Sequence, residues 1–121
     1  MNDYLGSQRP LYEVKANLFK GLSHPHRVRV LEMLSQADEV AVSEMMADTG
    51  LESSHLSQHL SVLRRHHLVE SDRRGSQVFY RLAHPEVADL LTVARGLLSS
   101  ILTETHERLT STIASTAAPP K

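Results

Sequence analysis

The stretch that decides the fold is Ser53-Ser54-His55-Leu56-Ser57-Gln58-His59-Leu60-Ser61-Val62-Leu63-Arg64-Arg65. Three leucines in it recur at helical spacing and therefore share one face that can pack inward. The opposite face carries small polar side chains and no acidic residue: Ser54, His55, Ser57, Gln58 and Ser61. Such groups suit phosphates and base edges, and two arginines end the stretch. The pattern is typical of a DNA recognition helix.

A short helix and a tight turn are predicted immediately before this stretch. Ser43 is expected to cap a helix over 44–49, and Gly50 supplies the left-handed residue that ends it. Ser53 is then expected to cap the recognition helix. A helix, a glycine turn and a second helix form the helix-turn-helix arrangement.

Two further helices are predicted upstream. Pro10 is expected in the first turn of a helix with Leu11, Val14, Leu18 and Leu22 on its apolar face. A second helix starts at His24-Pro25, with Pro25 in its first turn, and directs Val28, Leu31 and Leu34 inward. The segment 36–42 is a connector or a short strand.

Beyond His67 the apolar period changes from helical to alternating, which predicts two β-strands. They flank Arg73-Arg74-Gly75-Ser76, where Gly75 provides the positive φ of a tight hairpin turn. Two arginines at a glycine turn, beside a polar helix, favour phosphate contact over a merely solvated tip. We interpret this hairpin as a wing directed at the DNA backbone or minor groove.

The last helix, which follows His84-Pro85, has an apolar stripe too long and too wide for one small domain. Val87, Ala94 and Ile101 recur every seven residues, as do two leucine pairs, 90–91 and 97–98. This recurrence favours a seam shared with a second copy of the chain. We expect a flexible N-terminus over 1–9, one domain over 10–109 and a disordered tail over 110–121, which is rich in Ala, Ser, Thr and Pro.

Composition excludes several classes of protein. The chain of 121 residues has no cysteine, which rules out disulfides, thiolate nucleophiles, thiol redox switches and Cys-ligated metals. We find neither a secretory signal nor an apolar run of membrane-spanning length, so we expect a cytoplasmic protein without membrane contact. The net charge is −1, but residues 53–82 contain five arginines and two acidic residues, a local charge of +3.

The order of these elements resembles the ArsR/SmtB family of bacterial winged-helix repressors, over about residues 11–102. The stretches that carry the resemblance are Leu22-Ser23-His24-Pro25-His26-Arg27-Val28-Arg29-Val30-Leu31, Ser57-Gln58-His59-Leu60-Ser61-Val62-Leu63-Arg64, Leu68-Val69 and Arg73-Arg74-Gly75-Ser76-Gln77-Val78-Phe79-Tyr80-Arg81-Leu82. The chain departs from the family at His66-His67, where many members have a small residue and a glycine.

The resemblance implies a mainly α fold with a small β-hairpin, a winged helix-turn-helix of order α-α-α-α-β-β-α. It also implies a homodimer joined through the first and last helices, with its two recognition helices in successive major grooves. Two-fold symmetry then predicts an inverted-repeat (palindromic) operator in double-stranded DNA, with half-sites about one helical turn apart. The implied function is that of a sequence-specific transcriptional regulator, a repressor rather than an activator.

Two sets of residues follow from these arguments. The predicted DNA-binding set is Ser53, Ser54, His55, Ser57, Gln58, His59, Ser61, Arg64, Arg65, Arg73, Arg74 and Ser76. The predicted dimer interface is Leu11, Val14, Leu18, Val87, Leu90, Leu91, Ala94, Leu97, Leu98 and Ile101.

The effector, if there is one, is not identified by the sequence, and we predict no cofactor and no metal site. Metal-sensing members of the family have cysteines at positions where this chain has Ala41 and Ser43. Another site type of the family uses Asp and His at close spacing on the last helix, but here the residue two positions after Asp89 is Leu91. A metal held by His, Asp or Glu, a small molecule at the dimer seam, or no ligand all remain open.

The histidines have ordinary interpretations beside functional ones. His55 and His59 are one turn apart, which suits a shared metal, but hydrogen bonding to DNA phosphates or local packing is favoured. His24 and His84 each precede a proline at a helix start, which favours a capping or turn role over ligation. His66 and His67 are expected to be exposed, with a pH-dependent effect on DNA affinity as the alternative.

No catalytic arrangement is found: there is no nucleophile elbow, no phosphate-cradling glycine loop and no pair of carboxylates in an apolar setting. We therefore expect no enzyme activity. The alternative function is a winged-helix module that contacts protein instead of DNA, which the net charge of −1 favours. The local charge of +3 and the absence of acids from the polar helix face argue against it.

Overall fold

The computed structural model of the chain describes residues 9–117, and places side chains through Ile113. The described chain forms two compact units, the first ending at Ala88 and the second beginning at Asp89. The predicted flexible N-terminus, 1–9, lies outside the described residues except for Arg9.

Helix α1 spans Leu11–Leu22 and opens the first unit. Pro10 lies one residue before the helix, not in its first turn as expected. Its carbonyl accepts hydrogen bonds from the N–H groups of Glu13 and Val14, so it has the role of an N-cap residue. A proline is tolerated there because the N–H groups at the start of a helix have no intrahelical partner.

Helix α2 spans Pro25–Ser35 and begins where the sequence predicted. His24 is its N-cap: the His24 Nδ1 atom accepts a hydrogen bond from the backbone N–H of His26 at 3.1 Å. The predicted capping role of His24 is therefore confirmed. The buried residues of this helix are Val30, Leu31 and Leu34, whereas Val28 is half-buried.

Helices α3, Val42–Thr49, and α4, Ser53–Arg65, form the helix-turn-helix. Gly50 lies between them with φ +72°, and its N–H donates to the carbonyl of Met46 at 2.9 Å. This is the left-handed helix end that the sequence predicted, and it turns the chain sharply enough for α4 to start three residues later.

Both predicted serine caps are wrong by one or two residues. The chain enters α3 directly from a strand, so Ala41 is the N-cap and Ser43 falls in the first turn. Glu44 Oε1 accepts from the Ala41 N–H at 3.2 Å, the hydrogen bond by which the third helical residue reaches back to the N-cap. For α4 the N-cap is Glu52, whose carbonyl accepts from the Leu56 N–H, and Ser53 is the first helical residue.

Three antiparallel strands form one sheet in the order β1-β3-β2: β1 is Val40–Ala41, β2 is Val69–Arg74 and β3 is Gln77–Leu82. Within the segment 36–42, which the sequence left as a connector or a short strand, only Val40–Ala41 form a strand, and Val40 pairs with Tyr80. Strands β2 and β3 and the Gly75-Ser76 turn between them form the wing. Gly75 has φ +64°, as the hairpin turn requires.

The junction between α4 and the wing uses a left-handed residue that is not glycine. His66 is the C-cap of α4, and His67 has φ +61°. The N–H of Leu68 donates to the carbonyl of Leu63 at 3.0 Å, and the N–H of His67 donates to the carbonyl of Arg64. The helix therefore ends as it would with a glycine, although a side chain in this conformation costs about 1–2 kcal/mol.

The core of the first unit lies where α2 meets α3, α4 and β3. Its large, fully buried side chains are Val30, Leu31, Met45, Leu56 and Leu63. At the edge of this core, Arg29 binds the two carboxylate oxygens of Asp48 at 2.8 and 2.7 Å and so fastens α2 to α3.

Helix α5 spans Glu86–Ala117. It continues eight residues into the predicted tail, because no glycine or proline interrupts the sequence between Gly96 and Pro119. The prediction of disorder over 110–121 is thus wrong for 110–117, and 118–121 lie outside the described residues. Within the part of the chain that the structure describes, no helix combines the length and hydropathy needed to cross a bilayer.

Candidate nucleic-acid interface

Helix α4 separates its residues into two faces as the sequence predicted. Leu56, Leu60 and Leu63 are buried in the core of the first unit. The polar residues of the opposite face are all exposed: Ser53, Ser54, His55, Ser57, Gln58, Ser61, Arg64 and Arg65. Because the leucines fix the rotation of the helix about its axis, the short donors and acceptors are presented together to an external partner.

A cleft of about 630 Å³ lies between α4 and the wing. Five residues of the predicted DNA-binding set line it. Ser53, Ser57 and Arg64 come from α4, and Arg73 and Ser76 come from the wing. The fold therefore brings together, on one concave surface, residues that are up to 23 positions apart in the sequence.

The two arginines of the wing have different surroundings. Arg73 and Arg74 are adjacent in β2, so their side chains point to opposite faces of the hairpin. The Arg73 side chain lines the cleft. Arg74 lies with its guanidinium carbon 3.9 Å from the centre of the Phe79 ring and binds the carboxylates of Glu39 and Asp72.

The arginines predicted to contact phosphate therefore fall into two groups, one paired within the chain and one not. The hydrogen bond with Glu39 raises the pKa of Arg74, and this ion pair holds the side chain against the sheet. Arg64, Arg65 and Arg73 form no salt bridge within residues 9–117. These three arginines keep their charge available for an anionic partner, whereas Arg74 is engaged within its own chain.

His59 departs from the rest of the predicted DNA-binding set. It is half-buried, and its ring centre lies 4.2 Å from that of His24 at the start of α2. Burial lowers the pKa of His59 below 6.5, and the nearby His24 and Arg27 lower it further. The imidazole of His59 thus lies against the start of α2 and not on the exposed polar face of α4. Its position does not support the predicted role of His59 in contacting DNA.

Arg27 links α1, α2 and α4 around this histidine. Its Nε donates to the carbonyl of Gly21 at 2.8 Å, and its Nη2 donates to the carbonyl of Lys20 at 3.4 Å. The Nη1 atom lies 3.3 Å from the Nδ1 of His59. Arg27 therefore satisfies carbonyls at the end of α1 while it contacts the recognition helix.

Half of the predicted dimer interface is exposed in the single chain. On α1, Leu11 is 67% exposed, while Val14 and Leu18 are half-buried. On α5, Leu97 is 61% and Ile101 is 48% exposed. Leu98 and Ala94 are exposed too, and Leu90 and Leu91 are half-buried.

One residue of that interface set is misplaced. Val87 is only 5% exposed and belongs to the core of the first unit. The first turn of α5 still packs against its own domain, so a seven-residue recurrence that starts at Val87 mixes a core position with surface positions. The exposed apolar stripe also continues beyond residue 102, at Leu109 and Ile113.

A family model described as a helix-turn-helix domain matches residues 22–72. This range runs from the end of α1 into β2, and therefore contains the whole helix-turn-helix.

Similar proteins are transcriptional regulators. The helix-turn-helix regulator Rv0081 of Mycobacterium tuberculosis is 46% identical over 95 residues, which cover 78% of this chain and 83% of that protein. The biofilm growth-associated repressor of Xylella fastidiosa is 41% identical over 76 residues, 63% of this chain and 66% of that protein.

Solved structures agree with the fold. The crystal structure of Rv0081 matches with a TM-score of 0.74 and 45% identity, over 81% of this chain and 98% of that one. The homodimeric winged helix-turn-helix domain of Mb0332 from Mycobacterium bovis, a possible ArsR-family regulator, matches with a TM-score of 0.66 and 30% identity. That match covers 74% of this chain and 82% of the other.

Proposed function

Because this chain belongs to the ArsR/SmtB family of winged helix-turn-helix transcriptional regulators, we propose that it represses transcription by binding an inverted-repeat operator as a homodimer. It is a DNA-binding regulator and not an enzyme, as the sequence predicted. Its operator, its assembly and the sign of regulation are the parts that we propose.

The cleft between α4 and the wing is the observation that carries this proposal. Its walls combine hydroxyl groups from Ser53 and Ser57 with the guanidinium groups of Arg64 and Arg73. A recognition helix that enters the major groove beside a wing places such groups on base edges and on the flanking phosphates. The absence of acidic residues from α4 removes the charge that would repel DNA there.

We assign different tasks to the two kinds of side chain. Gln58, at the exposed centre of α4, has an amide that can pair with the edge of an adenine and supply sequence discrimination. Arg64, Arg65 and Arg73 supply affinity for phosphates, which is independent of sequence and weakens with salt.

Dimerisation through α1 and α5 is supported by the apolar side chains that each helix exposes. Leu11, Tyr12 and Phe19 on α1 and the row from Val93 to Ile113 on α5 are more than two-fifths exposed. Soluble monomers rarely expose contiguous apolar surface of this kind, since its contact with water is unfavourable. The homodimeric state described for Mb0332 supports the same assembly here.

A two-fold symmetric pair of recognition helices would contact half-sites about 34–36 Å apart, one turn of B-DNA. The operator is therefore an inverted repeat with that spacing. Repression follows if this operator overlaps a promoter, and a relative named as a repressor supports that sign. A DNA-binding regulator of this kind works where the chromosome lies, so we propose a cytoplasmic location.

Selection of bound sequences from a random duplex pool tests the proposal. The selection uses the full chain at near-physiological salt with a chelator present. Enrichment of an inverted repeat supports a homodimeric DNA-binding protein that needs no metal to recognise its site. A repeat enriched only after addition of zinc or nickel shows that operator binding requires a metal, and no enrichment in either case favours the protein-interaction module.

A further inference from the structure

Three histidines lie close together where the start of α2 meets the recognition helix. His24 precedes α2, His26 lies in its first turn, and His59 comes from the middle of α4. One ligand nitrogen from each lies within 4.8 Å of the other two. The ring centres are 4.2 Å apart for His24 and His59, 5.3 Å for His24 and His26, and 5.7 Å for His26 and His59.

We propose that His24, His26 and His59 form a site for a divalent transition-metal ion such as Zn²⁺, Co²⁺ or Ni²⁺. Imidazole nitrogen is the ligand that these ions share, and three protein ligands with an open fourth position form a recurrent tetrahedral site. The sequence prediction paired His59 with His55 instead, and it did not single out His26.

The observed geometry requires only small movements to hold an ion. Zinc binds imidazole nitrogen at about 2.0–2.1 Å, which puts tetrahedral ligand atoms about 3.3 Å apart. The three nitrogens lie within 4.8 Å of one another, so each pair needs to approach by at most about 1.5 Å to reach that separation. All three residues are half-buried, so part of the rotamer freedom that binding would remove is already lost.

Two existing contacts compete with the ion. The Nδ1 of His24 accepts from the His26 N–H, and the Nδ1 of His59 lies 3.3 Å from Arg27. A ring whose Nδ1 lone pair is used in this way carries its proton on Nε2. Metal binding must therefore shift the tautomer of His24 and His59 or replace these contacts, and the charge of Arg27 opposes the cation.

This competition gives the site a consequence for the recognition helix. An ion that holds His59 against the start of α2 weakens the contact between Arg27 and His59, which joins α4 to the end of α1. Gln58 is adjacent to His59 in α4, so a bound ion adds positive charge beside the side chains that we expect to meet base edges, with no rotation of the helix. We therefore propose that the metal alters operator affinity, a step that rests on the proposed function.

An anion such as phosphate fits the cluster less well. Anion binding needs charged imidazoles, whereas burial lowers the pKa of His59 and favours its neutral form. Metal binding needs that neutral form. A bound phosphate is thus an outcome of the test and not the proposal.

Titration of the untagged full chain with Co²⁺ tests the site directly. We expect one ion per chain, with visible ligand-field absorption that excess Zn²⁺ abolishes. No saturable binding at one equivalent overturns the site. So does a cluster that gives no cobalt spectrum but binds inorganic phosphate in a calorimetric titration.

Ligand variants connect the binding to these residues. His26→Ala and His59→Ala each remove one imidazole, and His24→Ser removes the third while it keeps a good N-cap for α2. Each variant should bind Co²⁺ on the order of 10–100-fold more weakly or not at all, since loss of even an outer-shell partner has effects of that size. His84→Ser is the matched control, because His84 also precedes a proline at a helix start but is exposed and outside the cluster.

Folding of the variants is checked by thermal unfolding without metal. Zn²⁺ should raise the melting temperature of the wild type and of His84→Ser but not that of folded His26→Ala. Equal shifts in all of them overturn the assignment.

Measuring the operator Kd with and without Zn²⁺ tests the regulatory effect separately from the existence of the metal site. The operator Kd of the wild type should change by at least about fivefold, and that of His26→Ala should not change. An unchanged Kd with the metal fully bound overturns the regulatory effect and leaves the site standing. Metal binding in a protein that selects no DNA at all is a failure of the proposed function, not of the site.

Discussion

The imidazole of His66 lies directly against the backbone of Gly21. A methyl group added at Gly21 would lie 2.6 Å from Cγ and 2.7 Å from Cδ2 of His66, closer than nonbonded carbon atoms approach. Gly21 is the buried residue near the end of α1, and His66 is the residue that ends α4. This contact brings the first helix and the recognition helix together and depends on the missing side chain.

Gly21→Ala should therefore destabilise the protein, although alanine is the better helix former. We expect the free energy of unfolding to fall by about 1–2 kcal/mol, because overpacking outweighs the gain in helix propensity. Denaturant unfolding measures it. In the double variant with His66→Ala the loss should be at least partly restored, and additive effects of the two changes would contradict the contact.

The same contact predicts a pH dependence of stability. Burial is the main cause that lowers the pKa of His66 from 6.5, with the charge of Arg65 next and those of Arg27 and His67 after it. The unfolded chain, with the ordinary pKa, then binds more protons than the folded one as the pH falls. The contribution of His66 to stability is present above pH 6.5 and is lost as the pH falls through its lowered folded pKa.

Unfolding of the wild type and of His66→Ala at pH 7.5 and 5.5 checks this sign. The loss of packing is common to both pH values and cancels in the difference. The wild type should lose more stability on acidification than the variant does. An equal or smaller loss in the wild type would show that His66 is not responsible.

His67 occupies a backbone conformation that glycine adopts without strain. Its φ of +61° predicts that His67→Gly is more stable than His67→Ala by about 1 kcal/mol, because alanine keeps the strain and glycine removes it. Both variants lose the same imidazole, so their comparison isolates the backbone. Thermal or denaturant unfolding measures the difference, and equal stabilities would contradict a strained junction.

Specificity and affinity for DNA should separate in two variants. Gln58→Ala should lose about 1–3 kcal/mol of binding free energy at the selected operator and little on random DNA. Arg73→Ala should weaken binding to both and lower the slope of log K against log salt by about 0.9 for each lost phosphate contact, hence by about two in a dimer.

Arg74→Ala is the matched control for Arg73→Ala. Its side chain is engaged with Glu39, Asp72 and Phe79, so we expect the salt slope to stay unchanged. Fluorescence anisotropy titrations at several salt concentrations measure these quantities. A slope that falls for Arg74→Ala and not for Arg73→Ala would reverse the assignment of the two arginines.

The dimer interface is tested by a charge in the exposed stripe of α5. Leu97→Glu should convert the proposed homodimer into monomers, since it puts a carboxylate into an apolar contact. Thr103→Glu is the control: it adds the same charge on the helix side shared with Ser99 and Glu107. Sedimentation or light scattering gives the mass, and a Leu97→Glu dimer, or a Thr103→Glu monomer, would contradict this interface.

Periodicity alone predicted the type and order of the helices and of the wing. Leu56, Leu60 and Leu63 determine which side of α4 is buried, and the alternation in 77–82 determines a strand, because burial imposes these repeats on the sequence. Gly50 and Gly75 were predictable for a local reason: both have the positive φ that the turns require.

The exact helix boundaries, and the surfaces against which residues are buried, depend on contacts between residues far apart in the sequence, which a local pattern does not show. Ala41 became an N-cap because β1 pairs with β3, and Val87 became core because the first turn of α5 still packs in the first unit. A helical repeat cannot distinguish burial within the chain from burial against a second copy.

The sequence by itself therefore determined the winged helix-turn-helix, the polar face of α4 and the local positive charge, since each depends on residues close together in the chain. Only the tertiary structure decided which charges and imidazoles are engaged. It directed Arg73 to the cleft and Arg74 to Glu39, and it moved His59 away from the predicted DNA face to His24 and His26. The physical reason is that hydrogen bonds, ion pairs and ligand clusters act over a few ångströms in space, at whatever separation the residues have in the sequence.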